Sequence, residues 1–362
     1  MPAPVGRDLE LTRSELEAWL PEPLAARFGD VADVHVGELT GPEATGFSSD
    51  TLLFDVSWKG SDGLQELGLV ARIRPMRMFL FPEYDLDAQF RILSALEPTD
   101  VPVPQPYWQE KTGDVIGSPF YLMARIAGRT PADNPPYNAA GWLTEVDAEE
   151  RAAIWRDYLE TLVKIRRLDV DALGLGLLAK PELGDTPLAQ ELSYYENYLE
   201  WIYAGREHPH VSRSLPWLRA NLPEQGDPVL SWGDARIGNM IFQHGRGVAV
   251  LDWEMARLGD FRMDLAWGLF LDRYHTEGNN VERLPGFMNR EQTLALYQEI
   301  AGSAVENIEW FEVLAGMRFS VILTRLAQQL MDQGFLPKDT DFEWNNPVSN
   351  LHGKQLEELG IG

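Results

Sequence analysis

Three oxygen-bearing side chains stand at spacings that a short hairpin would gather: Asp234, Asn239 five residues on, and Asp252 beyond. They lie in PVLSWGDARIGNMIFQHGRGVAVLDWEMARLGD, Pro228 to Asp260. Pro228–Trp232 reads as an apolar lead-in, Gly233 permits a turn, and 239–243 reads as a brief strand. HGRG (244–247) then reads as a turn and 248–253 as the returning strand. A hairpin brings its two open ends together, so the loop carrying Asp234 and Asn239 enters where Asp252 leaves. Two carboxylates and an amide suit a hard cation such as magnesium, which takes oxygen ligands and keeps waters or phosphate oxygens in its other positions. A carboxylate left free of the metal can orient and deprotonate a hydroxyl. That division of labour suits phosphoryl transfer, which needs positioning and charge neutralisation more than covalent chemistry from the protein. One aspartate alone here would be an ordinary turn or cap residue. The ordered set G-D-x4-N, strand, turn, strand, D is what carries the reading.

The elements that must position this set fall into two parts. Thr12 and Glu15 form a capping-box pattern ahead of Leu16, Trp19 and Leu20, which predicts a helix over 12–28. Strands follow at 31–39, 51–58 and 67–74, the last two joined by the turn KGSDG (59–63), with Phe54, Val56 and Trp58 on one face. A helix over 85–96, an extended stretch over 102–108 and a strand over 119–126 complete the β-rich third. After Gly128 a polar stretch, TPADNPPYN (130–138), leads into helices near 147–168, 188–205, 291–301 and 308–333. No internal repeat or low-complexity tract is present.

The chain has 362 residues, 31 basic and 56 acidic, for a formal net charge of -25. Its 44% hydrophobic and 24% charged content is a globular balance that excludes a disordered or fibrous chain. The acidity argues against nucleic acid or an anionic membrane as partner, and admits cationic ligands. Without cysteine, disulfides, thiolate catalysis and cysteine metal sites are excluded. The start lacks a basic region followed by an apolar run, and no stretch approaches about 18 uninterrupted apolar residues, so the expectation is a cytoplasmic chain without a membrane segment. HPH (208–210) is expected to be a polar loop, and Tyr194, Tyr195, Tyr198 and Trp201 to be packing residues.

The hairpin segment resembles the catalytic and metal-binding hairpin of the aminoglycoside phosphotransferase and choline kinase family, protein-kinase-like phosphotransferases of small molecules. That family shows H-G-D-x4-N followed by an apolar strand ending in L-D-W-E or a near variant. Here the positions are Trp232-Gly233-Asp234, Asn239 and Leu251-Asp252-Trp253-Glu254. The match runs on through Leu258-Gly259-Asp260 to Asp264-Leu265-Ala266, with Phe261 in place of the family's proline. The nearest subgroup resembles the kinase-like domain of some acyl-CoA dehydrogenase family members. The resemblance implies Asp234 as catalytic base, Asn239 and Asp252 as magnesium ligands, and Asp264 as an anchor of the catalytic loop. Glu254 either supports the metal site or is a solvated neighbour. Trp232 replaces a family histidine that packs beneath the loop, a role tryptophan fills by bulk.

The same resemblance implies an ATP site. Ser48 and Ser49, in the 41–50 loop between the first two strands, would present hydroxyls and amides to phosphate. LVARIRP places Arg72 at the family's phosphate-binding cation, with Arg74 the alternative; arginine can hold phosphate bidentately. Gln89 stands where the family usually has a glutamate paired with that cation, and Asp85 or Asp87 are candidates to substitute. Phe120–Arg125 resembles the hinge strand, with Met123 and Ala124 nearest adenine. The implied fold is α+β and two-lobed, protein-kinase-like. A small β-rich N-terminal lobe covers 1–125, with the hinge near 123–128. A larger, mainly helical C-terminal lobe covers 126–362, and the active cleft lies between the lobes. The implied activity is phosphorylation of a small-molecule hydroxyl, cationic acceptors included, using magnesium and ATP or another nucleoside triphosphate. Two alternatives stay open: a nucleotide-binding pseudoenzyme, motivated by Trp232, Arg72 and Gln89, and a metal-dependent hydrolase using Asp234 and Asp252.

Overall fold

The computed structural model describes residues 7–41, 50–76 and 79–362. The chain divides into two units. The first comprises Met1–Phe79, Glu83–Pro98 and Val103–Ala127; the second takes Leu80–Pro82, Thr99–Pro102 and Gly128–Gly362.

In the first unit, α1 (Leu9–Trp19) and α2 (Pro21–Phe28) precede β1 (Ala32–Val36), β2 (Asp50–Gly60) and β3 (Gly63–Ile73), and α3 (Leu86–Leu96) is followed by β4 (Pro106–Glu110) and β5 (Phe120–Ala124). The sheet runs β1-β2-β3-β5-β4, antiparallel at every step. Strand alternation puts Leu52, Phe54, Val56 and Trp58 on one face with Leu69, Ala71 and Ile73, in one apolar cluster with Leu16, Leu20 and Leu24 from the helices. The single helix predicted over 12–28 is two. Asp8, not Thr12, caps α1 by accepting from the Leu11 amide at 3.0 Å, and Thr12 is buried inside the helix. Pro21 has no amide hydrogen to continue the ladder, and it starts the next helix at its first position instead.

The second unit is mainly helical. α4 (Ala148–Arg166), α5 (Pro187–Tyr203) and α6 (Val211–Ala220) lead to β6 (Val229–Ser231), β7 (Met240–Gln243), β8 (Arg246–Val250) and β9 (Arg257–Gly259). Then come α7 (Arg262–Arg273), continued by a π-helical turn Tyr274–Gly278, α8 (Arg290–Ala301), α9 (Ile308–Asp332) and α10 (Pro347–Glu358). The four strands form two small sheets, β6 with β9 and β7 with β8. The β7–β8 turn is tighter than HGRG: only His244 and Gly245 form it, both at positive φ (49° and 72°), as two-residue hairpin turns require. The returning strand therefore starts at Arg246, ahead of the predicted 248, and it ends at Val250, short of the predicted 253, where Asp252 turns to positive φ. Among the described residues no helix is long and apolar enough to cross a membrane.

His-Pro-His is a loop, as predicted, but it does not lie wholly on the surface: His208 is buried, His210 half-buried and Pro209 exposed. His208 and His352 have no exposed surface, and the His210 ring lies 5.8 and 6.4 Å from theirs. Burial holds His352 down to about 3, with only a bond to Gln355 opposing it, and burial with the nearby His210 holds His208 down to about 4. A depressed folded-state value means that the folded chain binds fewer protons than the unfolded chain. This stability is complete above about 6.5 and is lost as pH falls toward the folded-state values. At about pH 5 each such histidine costs about 2 kcal/mol. Tm should thus drop between pH 7 and 5, and His352→Asn should flatten that drop; an unchanged slope in scanning calorimetry would show that His352 does not govern it.

Candidate active site

The hairpin register pairs Met240 with Val250 and Ile241 with Ala249, and the Leu251 amide donates to the Asn239 carbonyl at 2.8 Å. Asn239 and Asp252 therefore flank the open end of the hairpin. Paired backbone bonds between Arg129 and Phe242, at 2.9 and 3.0 Å, and a bond from the Val250 amide to the Pro102 carbonyl at 2.7 Å fix the hairpin from outside. Asp252 leaves the strand at φ 62°, in the left-handed region that a non-glycine residue occupies at a cost and that aspartate tolerates best.

The loop ahead of the hairpin is held from several sides. Gly233 sits at φ 90°, and a Cβ there would lie 2.2 Å from the Met255 carbonyl oxygen, so only glycine fits. Asp264, in the first turn of α7, accepts from the Ser231 hydroxyl at 2.7 Å and from the amides of Trp232 and Gly233 at 2.8 and 2.9 Å. Burial pushes its carboxyl up, against those three donors. Tyr158 of α4 donates to the Ala235 carbonyl at 2.9 Å, and Arg318 of α9 to the Gly233 carbonyl at 3.1 Å. Trp232 is fully buried, and its indole donates to the Leu251 carbonyl at 2.8 Å, tying the loop to the hairpin's exit.

Asp234 is half-buried at the centre of this frame. Its Oδ1 accepts from Trp267 Nε1 at 2.7 Å and its Oδ2 from Asn239 Nδ2 at 2.6 Å. Arg236 Nε lies astride both oxygens at 3.1 and 3.0 Å, while its Nη1 donates to Asp133. Two of these neighbours have no local signal in the sequence: Trp267 and Arg318 arrive from helices 33 and 85 residues from the groups they bind. Arg236 had one, its opposite charge two residues after Asp234.

The first unit holds the other predicted residues. Arg72 lies on β3 opposite Thr51 and Tyr121, on the face away from buried Ala71 and Ile73, and its Nη1 donates to Thr51 Oγ1 at 3.4 Å. Gln89 is buried and accepts from the Tyr121 hydroxyl at 3.2 Å, beside the cross-strand partner of Arg72. Asp85 caps α3 through the Ala88 amide at 2.9 Å, and Asp87 pairs with Lys111 at 2.5 Å and Arg91 at 2.9 Å. The Arg74 side chain is exposed. Met123 and Ala124 lie on β5 opposite Val70 and Leu69, and the Ala124 amide donates to the Gln105 carbonyl at 2.8 Å. Ser48 and Ser49 lie outside the described residues.

Residues 51–301 match the phosphotransferase enzyme family, and the chain belongs to it. It is similar to the Gallus gallus protein named acyl-CoA dehydrogenase family member 11, 31% identical over 301 residues, which covers 80% of this chain and 37% of that one. It is also 29% identical over 283 residues to the Arabidopsis thaliana protein named probable acyl-CoA dehydrogenase IBR3, covering 73% of this chain and 33% of the relative. The chain thus spans about a third of the length of these curated relatives. Among solved structures it is similar to a putative aminoglycoside phosphotransferase from Ralstonia eutropha JMP134, with TM-score 0.68, 20% identity, and coverage of 95% of this chain and 98% of that one. A thermostable mutant of an aminoglycoside phosphotransferase, in ternary complex with AMP-PNP and hygromycin B, aligns with TM-score 0.56 at 17% identity over 95% and 99% of the two chains. These likenesses establish the fold: two-lobed, α+β and kinase-like.

Proposed function

We propose that this chain transfers the terminal phosphoryl group of ATP to a hydroxyl of a small molecule, using magnesium. The observation that carries the reading is the convergence of Asp234, Asn239 and Asp252 at one end of the β7–β8 hairpin, with Asp252 held in a left-handed conformation that strand pairing alone does not require. An amide oxygen and a carboxylate suit magnesium, which completes its shell with waters and substrate phosphates. Bound by Asn239 and Asp252, the ion would neutralise charge on the phosphates. Asp234 would orient the acceptor hydroxyl and take its proton. The first unit would serve as the nucleotide-binding lobe, with Ser48, Ser49 and Arg72 toward the phosphates and Met123 and Ala124 toward adenine. The second would be the catalytic and acceptor lobe.

The test has two parts. ATP consumption is screened over aminoglycosides, macrolides, amino alcohols and sugars, with hydroxyl-bearing acyl thioesters added because the relatives are named as acyl-CoA dehydrogenases. Calorimetry then compares ATP affinity with and without magnesium. Affinity should fall when the metal is withheld from wild type, and that difference should vanish in Asp252→Ala. Equal affinities with and without metal in both proteins would remove Asp252 as a ligand. A chain that binds ATP yet consumes none across the panel would be a nucleotide-binding pseudoenzyme.

Arg72 gives a sharper check on the nucleotide end. Hydrogen bonds to charged groups contribute about 1.5–3 kcal/mol, so Arg72→Ala should weaken ATP binding by roughly 10- to 100-fold and leave adenosine nearly unaffected. An equal loss for both ligands would make Arg72 a structural residue of β3.

A further inference from the structure

A carboxylate offers about four lone-pair positions. At Asp234 three N–H groups cover them: Trp267 on Oδ1, Asn239 on Oδ2, and a single Arg236 Nε–H shared across the edge between both oxygens. A base in this state has no open position for an incoming hydroxyl, so one donor must leave. Trp267 and Asn239 are buried, at 2% and 7% exposure, and are fixed by helix and hairpin. The Arg236 side chain is the most exposed of the three donors, at 22%, and it alone already has a second carboxylate in hand, Asp133.

We propose that Arg236 is a latch on Asp234, and that Asp133 is the catch that receives its guanidinium when the base is released to an acceptor. This inference rests on the role proposed for Asp234. Its consequence is control of water. With the latch closed, a water beside bound ATP finds no proton acceptor. With it open and no other acceptor present, the water oxygen bonds to the γ-phosphorus, the bond from that phosphorus to the bridging oxygen breaks, and the water proton passes to Asp234, giving ADP and inorganic phosphate.

Three features of the surroundings fit a two-position arm. The cavity behind the bridge, lined by Asp133, Arg236, Gly238, Asp272 and His275 among others, is about 10 Å³, room for one water and not for a guanidinium. Release is therefore toward Asp133, whose side chain is 45% exposed. Space for the bridge is reserved by a residue without a side chain: a Cβ on Gly238 would lie 2.5 Å from Arg236 Nη1 and 2.9 Å from Asp133 Oδ1. The far side of Asp133 is steadied by His275 Nε2 at 3.4 Å. Although desolvation opposes it, Arg236 and His275 hold the Asp133 carboxyl well below the ordinary carboxylate range, so the catch stays charged.

The experiment measures acceptor-independent ATP hydrolysis with saturating magnesium and ATP in Arg236→Gln, Asp133→Asn, their double variant and Arg236→Gln/Asp234→Asn. Without the latch, hydrolysis should rise roughly 10- to 100-fold, the worth of one charge-assisted hydrogen bond. The added Asp234→Asn change should abolish that rise. Asp133→Asn alone should not raise hydrolysis, and combined with Arg236→Gln it should change nothing further, because no arm is left to catch. Hydrolysis that falls or stays level in Arg236→Gln, or that moves alike in both single variants, overturns the latch and leaves a structural tether. Thermal melting supplies a readout independent of turnover. The double variant Arg236→Gln/Asp234→Asn should lose less Tm than the sum of its singles, and additive losses would show that the bridge does not exist in solution. A wild-type chain that binds no ATP defeats the proposed function itself, and the latch with it, at a step this binding measurement identifies separately.

Discussion

Replacing Asp234 by asparagine should lower turnover by about 10²- to 10⁴-fold, the usual contribution of a positioned base, while ATP binding persists. The substitution keeps the side chain's shape but removes its ability to take a proton. Its local cost can be read from the donors around it: Trp267, Arg236 and Asn239 all point hydrogens at this group. An amide can present an oxygen to only one side, so one donor then faces an NH₂ group. Tm of the variant must be followed beside its kinetics, since a loss of turnover in an unfolded protein means nothing. A folded, ATP-binding variant that phosphorylates an acceptor at near wild-type rate would place the base elsewhere. A loss confined to KM, with kcat intact, would mark Asp234 as a binding group instead.

The second large effect is on stability. Arg318 is 1% exposed, pairs with fully buried Glu191 at 3.0 Å, donates to the Gly233 carbonyl, and lies over the Trp267 ring with its guanidinium carbon 4.7 Å from the centroid. Arg257 holds the other oxygen of Glu191 at 3.0 Å. Glu191 keeps Arg257, so removing Arg318 strands no charge; it empties the space of a long buried side chain and takes the donor from the buried Gly233 carbonyl, which together cost about 3–5 kcal/mol. Arg318→Ala should destabilise the second unit by that amount in urea unfolding. Arg318→Met, which refills the space and leaves the Arg257–Glu191 pair in place, should recover part of the loss. If Arg318→Ala proves as stable as wild type, the pair is not an energetic centre of this unit. The same side chain supports the backbone and the indole that frame Asp234, so activity should fall further than the folded fraction does.

How legible these features were in the sequence depends on how local their causes are. Asp234, Asn239 and Asp252 could be grouped because turn and strand chemistry within one short segment dictates a hairpin. The sheet of the first unit was legible because Phe54, Val56 and Trp58 alternate cleanly. Other elements were hidden by their own composition. α6 has apolar Val211, Leu215 and Leu218 at helical spacing but carries Pro216 in its interior, and α10 opens at Pro347 and carries Gly353, so both hold residues that argue locally against a helix. In α10, Gly353 makes room for a neighbouring ring: a Cβ there would lie 2.5 Å from His210 Cε1. Such a packing demand from a distant element leaves no trace in local propensity. The same holds for Trp267 and Arg318, whose importance to Asp234 exists only once the helices are assembled.

The second unit is not a continuous piece of chain, and this limits how the protein can be divided. Seven of its residues, Leu80–Pro82 and Thr99–Pro102, come from within the N-terminal stretch. They supply the Pro102 carbonyl that receives the Val250 amide, the Leu80 carbonyl that receives the Tyr198 hydroxyl, and the Phe81 ring 6.0 Å from that of Tyr198. A fragment begun at Gly128 would keep every residue of the hairpin yet lose the clasp on its returning strand and the cover on a buried tyrosine. Modular exchange at that boundary, by an engineer or by recombination, would therefore hand on the candidate site without the segments that complete its fold.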